Sequence, residues 1–370
     1  MKFVCKKEDF LEGMRVVQYA LTSTTLPILT HVLMAANKEE RVSLTATNLE
    51  TTIRSSFEGQ VQEKGEICLP GDKILSILRE LPPQEVNLDA ADTKATISCE
   101  KATFHLLGLS SDEFPEIPSL EAKQTFSLPS ENLREMIQRT VFAASRDETR
   151  QNINGVYLEP GEKELKMVAT DGRRLAFIRI PLALSEQIQA EVIIPLPALQ
   201  QMVRILGQEK EVKIGISQKQ IFFQAEPTLL ISQLVEAKFP NYREVIPTEY
   251  HIAIFADRDQ LYGAVRRVSL LADEKSRLVK FKLKENILYI SANAPEMGQA
   301  REEVAVRTEE KGEIEIGFNS AYLLDVFKNL GEGEICLELT DPVSPGLIRP
   351  RGNKDYINVV MPVRLETEEA

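Results

Sequence analysis

The sequence predicts an α+β architecture written three times, and three observations carry that reading. A short apolar strand runs into an amphipathic helix at residues 3–21, 126–144 and 251–271. A second strand–helix unit opens at Glu66, Glu191 and Glu313, spaced 125 and then 122 residues apart. Between the two units a strand ends in Leu44-Thr-Ala-Thr-Asn48, Met167-Val-Ala-Thr-Asp171 and Tyr289-Ile-Ser-Ala-Asn293. A fixed period marks a repeated architecture, and a period of domain size means three like domains rather than a solenoid of small units. Each copy has two helices and about eight strands. Parallel strands each need a crossover, so so few helices imply mainly antiparallel sheets.

The first helix of each copy carries one apolar stripe: Phe10, Met14, Val17 and Leu21; then Leu133, Ile137, Thr140, Val141 and Ala144; then Leu261, Val265 and Val268, with Asp257 placed to cap the third. The second helices repeat the pattern with Ile74, Leu75, Leu78 and Leu81; Leu199, Met202, Val203 and Leu206; Leu323, Leu324, Phe327 and Leu330. A single stripe with a polar back means that each helix lies on something. Pro70, Pro195 and Asn319 mark helix starts. Elsewhere residues alternate with the period of half-buried strands, as in Val42-Ser-Leu-Thr-Ala46 and Val212-Lys-Ile-Gly-Ile216. Asn154-Gly155, Pro160-Gly161, Asp171-Gly172, Gly312, Gly331 and Gly333 read as turns. Segments 115–123 and 240–249 read as Pro-rich polar connectors. The expected domains are therefore 1–119, 124–247 and 248–365, followed by an acidic tail at 366–370.

At 370 residues, with 43% hydrophobic and 27% charged residues, each repeat can bury a core of its own. No apolar run approaches the roughly 20 residues of a membrane span. The opening Met1-Lys-Phe-Val-Cys-Lys-Lys-Glu8 lacks a signal-peptide core. Cys5, Cys68, Cys99 and Cys336 form no C-x-x-C pair and read as buried thiols of a reducing cytoplasm. The net charge of −12 argues against a whole-surface grip on nucleic acid. His31, His105 and His251 are scattered, and no phosphate-binding glycine loop or nucleophile elbow occurs, so no catalytic residue, metal or cofactor is expected. The most motif-like run is Ala169-Thr-Asp-Gly-Arg-Arg-Leu175. It reads either as a catalytic carboxylate beside a phosphate clamp, which would make a hydrolase, or as a hairpin turn, since Asn48 and Asn293 occupy the matching places. The scarcity of chemistry favours a binding or scaffold protein.

Several segments, in this order and spacing, resemble the bacterial DNA polymerase III beta subunit family, the sliding clamps. They are Thr25-Leu-Pro-Ile-Leu29, Asp112-Glu-Phe-Pro115, Asn154-Gly155, Ala169-Thr-Asp-Gly-Arg-Arg-Leu-Ala176, Phe239-Pro-Asn-Tyr-Arg243, Ile316-Gly-Phe-Asn319 and Val359-Val-Met-Pro-Val-Arg-Leu365. The resemblance implies a head-to-tail homodimer, a closed ring of six modules with helices around the hole and sheets outside. Such a ring encircles double-stranded DNA without reading sequence, confers processivity on the polymerase, and is loaded by a separate ATP-driven clamp loader. It also implies clients, the polymerase III catalytic subunit among them, that dock a short, partly apolar clamp-binding motif between the second and third domains. By motif, the pocket comprises Ile153, Thr170, Gly172, Arg173, Arg174, Leu175, Pro240, Val245, Tyr322, Val343, Val360, Met361, Pro362, Val363, Arg364 and Leu365. Val359–Val363 also reads simply as a buried final strand.

Among the basic residues of the inner helices and loops, the resemblance assigns Arg150 and Arg277 to the DNA side, with Arg146 and Lys275 beside them. It places Phe104 and Leu106 against Leu270 and Leu271 at the ring joint, intradomain core being the other reading of all four. The chain departs from its relatives at Ser23-Thr24 and Leu196-Pro197, where some carry basic residues, at Glu244, where an Arg occurs, and in the tail. A repeat scaffold that never meets DNA and a specialised clamp paralogue are the alternatives.

Overall fold

A computed structural model describes residues 1–22, 25–37, 40–117, 124–182, 190–207, 210–310 and 312–365. The acidic tail, Ser23-Thr24 and residues 118–123 of the first connector lie outside the described residues. Six α-helices are described: α1 (Lys7–Val17), α2 (Gly71–Glu80), α3 (Ser130–Gln138), α4 (Leu196–Ile205), α5 (Arg258–Val268) and α6 (Ser320–Asn329). They fall where the apolar stripes put them. Phe10, Met14 and Val17 of α1 and Leu261, Val265 and Val268 of α5 are buried. The Asp257 carboxylate caps α5 by accepting from Gln260 N at 2.9 Å, and Asn319 caps α6 by accepting from Ala321 N at 2.9 Å.

Every pairing among the described strands is antiparallel. The chain packs as two compact units that cut across the second repeat. One, Met1–Leu133 with Pro197–Leu234, holds a five-stranded and an eight-stranded sheet. The other, Arg134–Leu196 with the chain from Val235 onward, holds a nine-stranded and a five-stranded sheet.

The reason for that division is strand pairing across repeats. In the eight-stranded sheet, Thr228–Gln233 of the second repeat lies beside Thr51–Glu58 of the first, with Leu230 opposite Ile53. In the nine-stranded sheet, Tyr356–Val360 of the third repeat lies beside Arg174–Pro181 of the second, with Val359 opposite Leu175. These are equivalent strands. Thr228–Gln233 and Tyr356–Val360 each end a three-strand meander, while Thr51–Glu58 and Arg174–Pro181 each follow the strand that closes on Asn48 or Asp171. The remaining members of the two sets, Ala102–Leu107 and Gly298–Ala305, are edge strands of the two five-stranded sheets.

Three expectations need correction, and one alternative reading is excluded. Asn293 is not a turn residue: the strand Ile287–Ala294 runs through it, paired with Gln299, and the chain reverses later, where Met297 N donates to Ala294 O. Gly155 is a strand residue facing Pro195, and a Cβ there would sit 2.6 Å from Ile194 O, so close backbone approach rather than turning requires it. The segment after Phe239 is no free connector, because Phe239 and Tyr242 are buried in the core with Tyr157 and Phe177. The Phe239 ring stacks on Tyr157 at 4.8 Å and Tyr242 on Phe177 at 5.9 Å. Leu270 is not core, being 75% exposed in the 3-10 turn Ser269–Leu271 that follows α5.

All four thiols are free and buried. Burial first, and neighbouring carboxylates second, push Cys5, Cys68 and Cys336 up to about 12. At pH 8 roughly one in ten thousand of such groups is thiolate. Native protein should therefore resist maleimide at these three positions and react fully once unfolded in guanidinium, as intact mass will show. Phe239→Ala should lower unfolding free energy by about 3–5 kcal/mol, measured by urea titration; a loss below 1 kcal/mol would mean that the aromatic cluster does not anchor the chain here.

Candidate functional site

The site forms around the turn that ends the strand Glu164–Thr170. Asp171 Oδ1 accepts from Arg173 N at 2.9 Å and Arg174 N at 3.0 Å, and its Oδ2 accepts from Arg174 Nε at 3.0 Å. Asn48 makes the matching bonds in the first repeat, accepting from Glu50 N at 3.1 Å and Thr51 N at 2.7 Å. The Asp171 carboxylate thus holds the turn, as a short polar side chain does where it caps its own following amides. Thr170 Oγ1 adds a bond to Arg174 O at 2.6 Å and accepts from Gly172 N at 3.0 Å.

Arg174 fastens this turn to α6 and to Phe142. Its Nη1 donates to Asp325 Oδ2 on α6 and its Nη2 to Phe142 O, both at 2.6 Å. The guanidinium also lies 4.7 Å from the Tyr322 ring centroid and 5.6 Å from that of Phe142. With its Nε on Asp171, each guanidinium nitrogen of Arg174 donates a hydrogen bond within the fold. Gly172 has φ +86°, and a Cβ there would meet Arg150 Nη2 at 2.8 Å. Arg150 reaches this place because its Nη1 donates to Asp171 O at 2.9 Å.

The opposite wall comes from the 3-10 turn Tyr242–Glu244. Glu159, buried, anchors it by accepting from Tyr242 Oη at 3.0 Å, from Arg243 Nη2 at 2.6 and 2.7 Å, and from Lys166 Nζ at 3.1 Å. Burial, then the Glu159 charge, push the Tyr242 phenol well above its usual value, so it remains a donor. A buried carboxylate is tolerated here because cations and a phenol satisfy it. The floor is the end of the strand Tyr356–Val360, tied to the turn by Met361 N donating to Arg173 O at 2.9 Å.

The result is a cavity of about 140 Å³ lined by Arg150, Asn152, Ile153, Thr170, Gly172, Arg173, Arg174, Leu175, Pro240, Tyr242, Val245, Val359 and Met361. It brings together nine of the residues assigned to a peptide pocket: Ile153, Thr170, Gly172, Arg173, Arg174, Leu175, Pro240, Val245 and Met361. Tyr322 stands behind the wall, under Arg174. Val360 is fully buried and is not part of this lining; its neighbour Val359 faces the space instead, as strand alternation requires. Val343 is 68% exposed, outside the lining. Pro362 and Val363 pair with Phe318 and Gly317 in the five-stranded sheet, and Arg364 and Leu365 follow them away from the cavity lining. Asn152, Tyr242 and Val359 were missed. The Phe-Pro-Asn-Tyr-Arg run held a signal for Tyr242, and the alternation of the last strand one for Val359.

The basic residues assigned to DNA lie in two loops of like design. Asp147 accepts from Thr149 N at 3.0 Å and Thr149 Oγ1 at 2.7 Å, while Asp273 accepts from Lys275 N at 3.2 Å and Ser276 N at 2.8 Å. The Thr149 hydroxyl bond holds the first carboxyl below its usual range, and the Ser276 amide the second. Arg146, Lys275 and Arg277 are exposed on these loops, Arg277 with φ +49°. Arg150 differs, since its guanidinium belongs to the cavity wall. At the chain's edge strands, Phe104 and Leu106 are half-buried on Ala102–Leu107, and Leu271 is half-buried beside the exposed Leu270.

Three family models cover the chain: the DNA polymerase III beta subunit N-terminal domain over residues 1–118, its central domain over 127–241 and its C-terminal domain over 243–364. The chain is 33% identical to the beta sliding clamp of Chlamydia pneumoniae over 100% of both, and 34% identical to that of Pseudomonas aeruginosa over 99% of this chain and 100% of the relative. Its fold is similar to the crystal structure of the DNA polymerase III subunit beta from Pseudomonas aeruginosa, with TM-score 0.95 at 33% identity over 99% and 100% of the two chains. It is also similar to that of the Bacillus subtilis sliding clamp, with TM-score 0.94 at 31% identity over 99% of each. With the threefold fold and the cavity already in place, these likenesses show that the chain belongs to the DNA polymerase III beta subunit family, the bacterial beta sliding clamps.

Proposed function

We propose that two copies of this chain close head to tail into a ring around duplex DNA, and that the ring tethers the replicative polymerase and other proteins bearing a short apolar motif. The observation that carries this is the reuse of one strand junction. Two of three equivalent junctions are made within the chain, and the strands of the third, Ala102–Leu107 and Gly298–Ala305, are each paired on one side only among the described strands. A second copy supplies what each lacks, and two such joints close a cyclic dimer. Transferring the register of the first junction places Phe104 opposite the partner subunit's Arg301 and Leu106 opposite the partner subunit's Gln299. It also brings Leu107, 73% exposed, toward the partner subunit's Met297, 59% exposed. Leu270 then gains a cover from the same joint.

A ring held by topology needs only weak phosphate contacts, which suits a chain of net charge −12 whose exposed Arg146, Lys275 and Arg277 sit on loops. It catalyses nothing itself: Asp171 and Arg174 serve the turn. A closed ring must be opened for threading, so a separate ATP-driven loader is its partner, and its place of work is the cytoplasm where the chromosome lies. The cavity, with its apolar floor and cationic rim, fits a Leu or Phe anchor from a client, each worth roughly 1.5–3 kcal/mol before ordering costs. Two cavities per ring let multi-site clients gain through effective concentration.

Loaded onto nicked circular plasmid, the protein should stay bound through gel filtration and be lost when the plasmid is linearised; equal retention on both forms would favour a scaffold that does not encircle. Leu270→Asp should raise the dimer dissociation constant by roughly a hundredfold, read by sedimentation, since it buries a charge against an apolar joint. Gly172→Ala should weaken a fluorescent Leu-Phe peptide by roughly tenfold in anisotropy, because the new Cβ displaces Arg150 into the cavity. Unchanged affinity would remove the cavity from the client site.

A further inference from the structure

The cavity described above ends on one side at Val245 and Met361, and beyond these two side chains lies a second cavity of about 480 Å³ that shares both. Val245 and Met361 are 41% and 38% exposed, so they form a low divide across which an extended peptide can pass. The two spaces differ in charge. Arg150, Arg173 and Arg174 stand in the walls of the first. The charged members of the second lining are Glu244 and Glu249, set among Pro247, Pro345 and the hydroxyls of Thr340 and Ser344.

The carboxylate of Glu244 is held at the cavity's edge: its Oε1 accepts from Asn241 Nδ2 at 2.7 Å, and its backbone belongs to the 3-10 turn that Glu159 anchors. Glu249 is held through its carbonyl, which accepts from Thr340 Oγ1 at 3.0 Å. Both glutamates are exposed. An extended chain advances about 3.3 Å per residue, so a residue only a few places from an anchor in the first cavity reaches the second.

We propose that the second cavity receives the basic flank of a client peptide, so that this chain selects motifs carrying Lys or Arg beside the apolar anchor and rejects those carrying Asp or Glu there. The proposal rests on the reading of the first cavity as the client site and adds the chemistry of the partner. Charge complementarity at an exposed rim contributes modestly to affinity and more to discrimination, because the like-charged competitor is repelled as the matched one is drawn in.

The test uses the full-length protein and three peptides that share one Leu-Phe anchor and differ in flanking residues, Lys-Lys, Ser-Ser or Glu-Glu, placed on either side. At low salt the Lys-Lys peptide should bind about three- to fivefold more tightly than Ser-Ser, and Glu-Glu more weakly by a similar factor. In the Glu244→Gln/Glu249→Gln variant, which keeps the Asn241 bond available, the order should collapse to equality, and in Glu244→Lys/Glu249→Lys it should reverse. Added salt should compress the wild-type differences. If all three peptides bind wild type equally, the charge selection is wrong and the client site stands. If none binds wild type, the client site falls and this inference with it.

Discussion

Backbone pairing between equivalent strands is the constraint on which everything else in this protein depends. The third strand of a meander in one repeat lies beside the strand that follows the Asn48 or Asp171 turn in the preceding repeat, and this happens twice. Each junction converts two half-sheets into one continuous sheet, so the close packing follows the junctions and not the sequence repeats. Unpaired backbone groups at a sheet edge are an invitation to association. Charges at Arg301, Glu302 and Glu303 on one remaining edge discourage indiscriminate pairing, while Leu106 and the exposed Leu107 on the other leave it apolar.

The same junction builds the candidate site. Because Tyr356–Val360 is the neighbour of Arg174–Pro181, Val359 and Met361 come to lie under a turn that belongs to a different repeat nearly 200 residues away. Polar side chains then set the walls. Asp171 shapes the turn, Arg174 ties it to α6, and Glu159 pins the Tyr242 segment opposite. Each is satisfied several times over, which is the condition for a buried or half-buried charge to stabilise a shape. The cavity between them is left with an apolar floor and cations at its rim, the arrangement of a small recognition pocket.

Much of the fold was legible because its signals are local. Apolar stripes at helical spacing located all six helices, Pro70, Pro195 and Asn319 marked three of the starts, and the resemblance over the whole length placed nine of the cavity residues. What failed had a common cause. Asn293 looks like Asn48 and Asp171 in sequence, yet its strand continues because the ladder with Gly298–Ala305 extends past it. Segment 240–249 looks like a polar connector, yet Phe239 and Tyr242 are drawn into an aromatic cluster with Tyr157 and Phe177.

By itself, the sequence determined the threefold repeat, the helix positions and the antiparallel character of the sheets, because each of these follows from periodicity and from short-range capping and turn chemistry. It also determined which residue types were present to make a pocket. Only the tertiary structure decided which strands become neighbours, which of two adjacent valines faces the cavity, and which arginines are consumed by the fold. Those outcomes depend on register and on partners more than 100 residues distant, and a one-residue change in register turns every side chain of a strand to its other face.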